Sequence, residues 1–509
     1  MNAPGPHRGT DDDAQLAALG YTGELHRSMG LWGNMALGFT YLSPLVGVYS
    51  LFAYSLSIGG PPAIWWIVIV GVGQLLVALV FGEVVSQYPL AGGIYPWTRR
   101  LWNRRYAWLV SWIYLWAVIV TITSVAEFGG GFVAALFGID ATPGVVLLTA
   151  IALLVIAFVV NYSGTRMLAR IARIGLAAEL VGVVALGLYL LLFQREQPYS
   201  VFFDSFGTGG GDGYLGVFLA ASLSGLFLFY GFEACGDVAE EVTDPTRKVP
   251  QAMVLTILVG GVSGFLSYAG YVLAAPDLQA IVSGEEADPI PAILVSTLGT
   301  AGSKVFLVVT VMAFVSCVLS LQAAGSRLLY AFARDRMLPA SPWLAHVSSR
   351  HAVPTNALLV VCVVPVVIAV LVYFRPDTLA RVTAFAVLGI YVAFQAVVLA
   401  ALRQRLLGWR PGGRWNLGSW GLPVNALALA YGVFAIVLLL RPADADAFLD
   451  RWVVLIGLCV VAGSGLLYLL LARPDRHSHD IPEGDAREVA QQLHQIRRDH
   501  RALATEETR

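Results

Sequence analysis

The sequence predicts an all-α integral membrane protein of twelve transmembrane helices, and three observations carry that prediction. Of 509 residues, 57% are hydrophobic and only 13% charged, whereas a soluble domain is about a quarter charged. The mean hydropathy is +0.72. Apolar stretches able to cross a hydrocarbon core, which takes about 20 residues each, recur at 29–57, 62–84, 106–137, 144–162, 172–193, 215–238, 251–274, 302–333, 354–373, 378–402, 421–440 and 451–472. Short polar loops between them hold most of the charge, so a soluble fold is excluded.

Alternate loops differ in basic content. Those after spans 2, 4, 6, 8 and 10 hold Arg99, Arg100, Arg104, Arg105, Arg166, Arg170, Arg173, Arg247, Lys248, Arg334, Arg336, Arg350, Arg403, Arg405, Arg410 and Arg414, against little beyond Arg195, Arg375 and Arg441 in the others. Positive loops stay inside, so both termini are expected in the cytoplasm of a multi-pass cell (inner) membrane protein. No cleavable signal sequence is visible before the first span. Cys235, Cys317, Cys362 and Cys459 lack metal-ligand or disulfide spacing. A net charge of −1 gives no sign of a nucleic-acid partner. No nucleophile–base constellation, metal cluster or phosphate loop appears, so no enzyme is expected. Size allows a monomer and leaves the oligomeric state open.

Two spans contain residues that a continuous membrane helix does not favour. In ALGFTYLSPLVGVYSLF (36–52), Pro44 lies near mid-membrane, where an interior proline costs about 3 kcal/mol. A helix that stops at Tyr41–Ser43 and restarts relieves this: Ser43 becomes the N-cap, Pro44 the first helical residue, and the N–H groups of Val46 and Gly47 face the gap. A plain proline kink is the alternative. In span 6, LAASLSGLFLFYGFEACGDVAEEV (219–242), Gly231 and Glu233 sit between aromatics at membrane depth. A charge there costs roughly 2.5–3.5 kcal/mol, so Glu233 needs a proton, a cation or a hydrogen-bond network. Five spans separate the breaks, so residues 29–193 (spans 1–5) and 215–402 (spans 6–10) are read as two halves of opposite topology around one midplane site. Residues 1–28, spans 11–12 (421–472) and a tail (473–509) flank them.

These residues resemble the amino acid–polyamine–organocation transporter superfamily, and most closely its amino acid/choline family. LAALGYTGELHRSM (16–29), ALGFTYLSPLVGV (36–48) and GFEACGDVAEEVTDPTRKVPQAM (231–253) carry the match, with SQYPLAGGIYPWTRRL (86–101) and SRLLYAFARDRMLP (326–339) similar to its loops after spans 2 and 8. The resemblance spans 16 to about 470 and implies a LeuT-like fold, a 5+5 inverted repeat plus two helices. Many such permeases carry glycine-serine-glycine at the first break, where this chain has Tyr41-Leu42-Ser43-Pro44-Leu45-Val46-Gly47. The resemblance places the substrate between those residues and Phe229, Tyr230, Gly231, Phe232 and Glu233. Phe229 and Phe232, three apart, share a helix face, and each is as readily core packing.

For coupling, proton-linked relatives put a charged span 5 side chain where others bind sodium between spans 1 and 8. Here span 5 carries Glu179, which could instead simply bond a neighbouring helix. Ser316 and Ser320 keep a sodium site open, although serines at this spacing also serve helix packing. No cofactor is expected, only H+ or Na+ as coupling ion. Glu127 in span 3 is a secondary candidate. Asp237, Glu240 and Glu241 are read as a charge lock near Arg247, Lys248 and the other inner-loop arginines, or as an interfacial solvated cluster, and segment 483–503 as a solvated polar helix. The expectation is thus a cation-coupled permease for an amino acid or small amine such as GABA, with an obligate amino acid/polyamine exchanger and a non-transporting solute sensor as the rivals.

Overall fold

A bilayer offers no water to satisfy backbone N–H and C=O groups, so a chain this apolar must close its hydrogen bonds inside helices. The computed structural model describes residues 11–21, 25–209, 213–286, 288–375, 378–442, 447–478 and 480–495. Its helices, in chain order, are α1 (Asp11–Ala18), α2 (Leu31–Leu42), α3 (Pro44–Gly59), α4 (Trp65–Gln87), α5 (Ile94–Leu101), α6 (Arg104–Phe137), α7 (Pro143–Tyr162), α8 (Thr165–Glu179), α9 (Leu186–Phe193), α10 (Tyr214–Ala220), α11 (Leu223–Leu228), α12 (Ala234–Asp237), α13 (Pro245–Ala274), α14 (Leu278–Ser283), α15 (Pro289–Arg334), α16 (Ser341–Leu344), α17 (Thr355–Tyr373), α18 (Leu379–Leu406), α19 (Gly421–Leu439), α20 (Phe448–Arg451) and α21 (Val453–Ala472). The β-structure among the described residues is one isolated bridge, Met29 to Val242.

Among the described residues, eleven helical stretches are long and apolar enough to cross a membrane. The twelfth expected span, the sixth in order, is not one of them: its apolar helix ends at Leu228 and the chain resumes as the single turn of α12. The expected start of span 8 also differs. α15 begins at Pro289 rather than near 302 because two helices run together across Gly299, whose φ is +68°.

The two broken spans occupy the middle. α2 packs on α8, α13 and α15, and α3 on α11, α13 and α15. The long α6 lies against α7, α15 and α18. α19 joins from outside on α4 and α18, as does α21 on α6 and α18, and α21 stays largely uncovered. This all-helical arrangement around two broken segments fits the LeuT-like architecture.

The arginine-rich face is closed by the tail, which the sequence presents as solvated. Arg99, 0% exposed, donates to Ser478 Oγ at 2.8 Å and to the carbonyls of Ser478 and Ile481 at 2.7 and 3.0 Å. It also pairs with Asp335 at 3.4 Å. Arg105 reaches Asp475 at 2.9 Å and Arg104 reaches Glu483 at 3.2 Å, while Arg100 joins Asp485 to the Leu19 carbonyl of the N-terminal segment. A helix over 486–495 then buries Ala486, Val489 and Ala490. Residues 496–503 of the expected tail helix lie outside the described residues.

Replacing Arg99 by Met leaves the buried Asp335 with hydroxyl donors from Tyr95 and Tyr21 but without its ion pair, and takes the guanidinium donor from the tail acceptors. The expected cost is about 3–5 kcal/mol, measured as a lower midpoint of thermal unfolding of the purified protein in detergent; an unchanged midpoint would refute the docked tail.

Candidate functional site

Ser43 ends α2 in a left-handed conformation, φ +40° and ψ 87°, and caps α3, with Pro44 in its first turn. The break is therefore a true stop and restart, not a kink. The expected free amides are already engaged: Val46 N–H donates to Ser43 Oγ at 3.3 Å and Gly47 N–H to the Ser43 carbonyl at 2.9 Å. What stands at the new N-terminus is the protein's own carboxylate. Ser43 Oγ donates to Glu179 Oε2 at 2.8 Å, and the Leu45 amide faces the same group. A helix N-terminus favours an anion, and Glu179, at the end of α8 and fully buried, supplies it. A π-helical turn, Leu180–Ala185, follows directly.

Span 8 meets the same break. Thr40 and Ser320 hydroxyls lie 2.7 Å apart, Cys317 Sγ donates to the Tyr41 carbonyl at 3.3 Å, and a Cβ at Gly175 would fall 2.3 Å from Ser316 Oγ. Glu179, Ser316 and Ser320 thus converge on the first break.

At the second break Gly231 has φ +114°, and a Cβ there would lie 2.5 Å from the Leu42 N. Only glycine fits such a backbone without strain, and this contact seats one break against the other. Glu233 Oε2 accepts from the Gly231 N–H at 2.7 Å and Oε1 from the Tyr114 hydroxyl at 3.1 Å. Tyr41 and Tyr230 meet edge to face at 6.3 Å beside it.

The remaining expected site residues divide. Leu45, Val46 and Gly47 line α3, with Gly47 closed against Leu228 and Leu45 toward Gly182. Phe229 wedges between Gly71 and Gly261, and Phe232 joins Phe81 and Phe394 at 5.8 and 5.4 Å. The structure does not bring these two rings to the Tyr41–Glu233 centre. Asp237 does lie near it. One turn beyond Glu233 and 0% exposed, it keeps both carboxylate oxygens buried with no hydrogen-bond partner among the described residues. Its i+4 spacing from Glu233 was a usable signal; Tyr114, inside an aromatic-rich span, gave none.

The charge lock forms with arginines of another inner segment rather than with Arg247 and Lys248. Glu241 binds Arg327 at 2.8 Å and Glu240 binds Arg334 at 3.1 Å, both from α15. Arg247 is exposed and Lys248 donates to Thr243 at 2.8 Å. Neighbouring Asp335, just past the end of α15, has its carboxyl pushed up by burial and drawn back by Arg334 and Arg99.

Apolar spanning helices around two apposed breaks define the class: a multi-pass membrane protein of the broken-helix transporter type. A family model described as amino acid permease matches residues 29–464, and the chain belongs to that family, within the amino acid–polyamine–organocation superfamily. It is similar to amino-acid permease BAT1 of Arabidopsis thaliana, 25% identical over 84% of this chain and 88% of the relative. It is also similar to a putative polyamine transporter of Candida albicans, 24% identical over 91% and 88%. The thiamine transporter thi9 of Schizosaccharomyces pombe is 26% identical over 85% and 81%. The protein is a permease and not an enzyme.

Two substitutions check this geometry. Ser43→Ala removes the α3 cap, a loss of about 1 kcal/mol, and strips Glu179 of its hydroxyl donor; Gly231→Ala forces a side chain into the Leu42 backbone. Both are expected to lower the unfolding midpoint, Gly231→Ala by more; equal stability of Gly231→Ala and wild type would refute the apposed breaks.

Proposed function

We propose that this permease moves an amino acid or small amine such as GABA by alternating access at the paired breaks, coupled to a proton carried by Glu179. The arginine-rich face lies in the cytoplasm of the cell membrane with both termini, and residues 29–193 and 215–402 act as inverted halves. The observation that carries the reading is Glu179 itself. It is a buried acid at the N-terminus of α3, held by Ser43 at 2.8 Å, with no ion pair among the described residues. Losing its proton puts a charge at the pivot of the first broken helix, and regaining it removes that charge, so protonation and helix position are linked. Tyr41, Ser43, Pro44 and Leu45 to Gly47 form one wall of the substrate site, and Tyr230, Gly231 and Glu233 the other. Phe229 and Phe232 support it from behind.

Asp237 favours a second reading. Two buried acids one turn apart, with no basic partner among the described residues, suit a substrate bearing two amines, and so the exchange of polyamines.

GABA uptake into empty proteoliposomes should rise with an imposed pH gradient, acid outside, and Glu179→Gln should lose at least tenfold of that response while binding persists. A strict need for preloaded counter-substrate would favour exchange; a full response in Glu179→Gln, or dependence on sodium alone, would overturn the proton reading.

A further inference from the structure

Opposite the arginine-rich face, at the far end of α6, a cavity of about 570 Å³ opens between α3, α6 and the starts of α7 and α15. That volume suits a small organic ligand. Its lining combines three acids, Glu127, Asp140 and Asp288, with aromatic rings that include Phe128, Phe132 and Tyr373. No lysine, arginine or histidine lines it among the described residues. Glu127 is only 6% exposed, and its Oε1 has no hydrogen-bond partner among the described residues; Ser50 Oγ, on the facing wall, is buried and equally unpartnered.

A buried carboxylate left unpaired beside an apolar cavity is costly unless a cation meets it. Aromatic faces add attraction for the same ligand. The floor is aromatic as well. Tyr49 contacts Phe132 at 5.7 Å and Tyr271 at 5.3 Å between ring centres, its hydroxyl bonded to that of Tyr271. From the side wall a file of rings runs inward: Phe128 to Phe227 at 6.4 Å, Phe227 to Tyr230 at 5.5 Å, Tyr230 to Tyr41 at 6.3 Å. That file ends beside Glu233.

We propose that this cavity is a second binding site, an outer subsite in which an organic ammonium ion is held by Glu127 and the surrounding rings before it passes inward along the aromatic file. The inference rests on the reading that the transported solute carries an amine. Asp140 and Asp288, at the rim, draw the cation in; Glu127 and Ser50 hold it.

4-Bromobenzylammonium is a suitable probe, because its bromine can be located by anomalous scattering in crystals and its binding counted by equilibrium dialysis. Wild type should bind two molecules per chain, one beside Glu127 and one beside Glu233. Glu127→Gln should lose the outer peak, weaken that binding at least tenfold and keep the inner one. A peak at Glu233 alone overturns the outer subsite and leaves the amine reading standing. A peak at Glu127 alone supports the subsite and overturns the amine reading of the central site; none at either place overturns both. If Glu127→Gln fails to fold, the double variant Asp140→Asn with Asp288→Asn should weaken the outer binding alone, and unchanged binding there overturns the proposal.

Discussion

The hydrogen bond from Ser43 to Glu179 at 2.8 Å is the constraint on which the central structure turns. A helix interrupted inside a bilayer must satisfy freed amides without water, and it must do so from side chains already present. Ser43 caps α3 through its own oxygen and at the same time holds a carboxylate against that helix's positive end. The arrangement requires α8 to approach closely, which Gly175 permits by lying directly against Ser316. The second break is satisfied from within, Glu233 turning back to the amide of Gly231. Each break therefore carries one carboxylate, one borrowed from a neighbouring helix and one its own.

The breaks were legible because proline and glycine act locally. Ser43-Pro44 specifies a cap and a first turn by chain stereochemistry alone, and Gly231 announces a backbone that other residues resist. What the breaks do to neighbouring residues was not legible. Phe229 and Phe232 would share a face on a helix, but α11 ends at Leu228, so the spacing rule lapses between them and the rings part to different neighbours. The amides of Val46 and Gly47 were likewise expected to be free because the sequence names the cap but not how fully it is used.

The two bases nearest in sequence miss these acids for a related reason. Arg247 and Lys248 are close to Glu240 and Glu241 in sequence, but Pro245 starts α13 between them and carries the bases away. Arg327 and Arg334 arrive instead from the end of α15, nearly a hundred residues on, and bind the two acids at 2.8 and 3.1 Å. Asp237 is left out of this network, its carboxylate lying against the Gly93 backbone. The block Asp237, Glu240 and Glu241, uniform on paper, is thus split by one helical turn into an acid with no hydrogen-bond partner among the described residues and two acids paired with arginines. The same end of α15 holds Asp335, which links this closure to Arg99.

Arg99 binds the tail mostly through the carbonyls of Ser478 and Ile481. A guanidinium that reads main-chain oxygens recognises the course of the chain and is indifferent to which side chains it carries. Within this chain, side chains between Ser478 and Ile481 can therefore change with little effect on the docking, so long as the main chain keeps its course past Arg99.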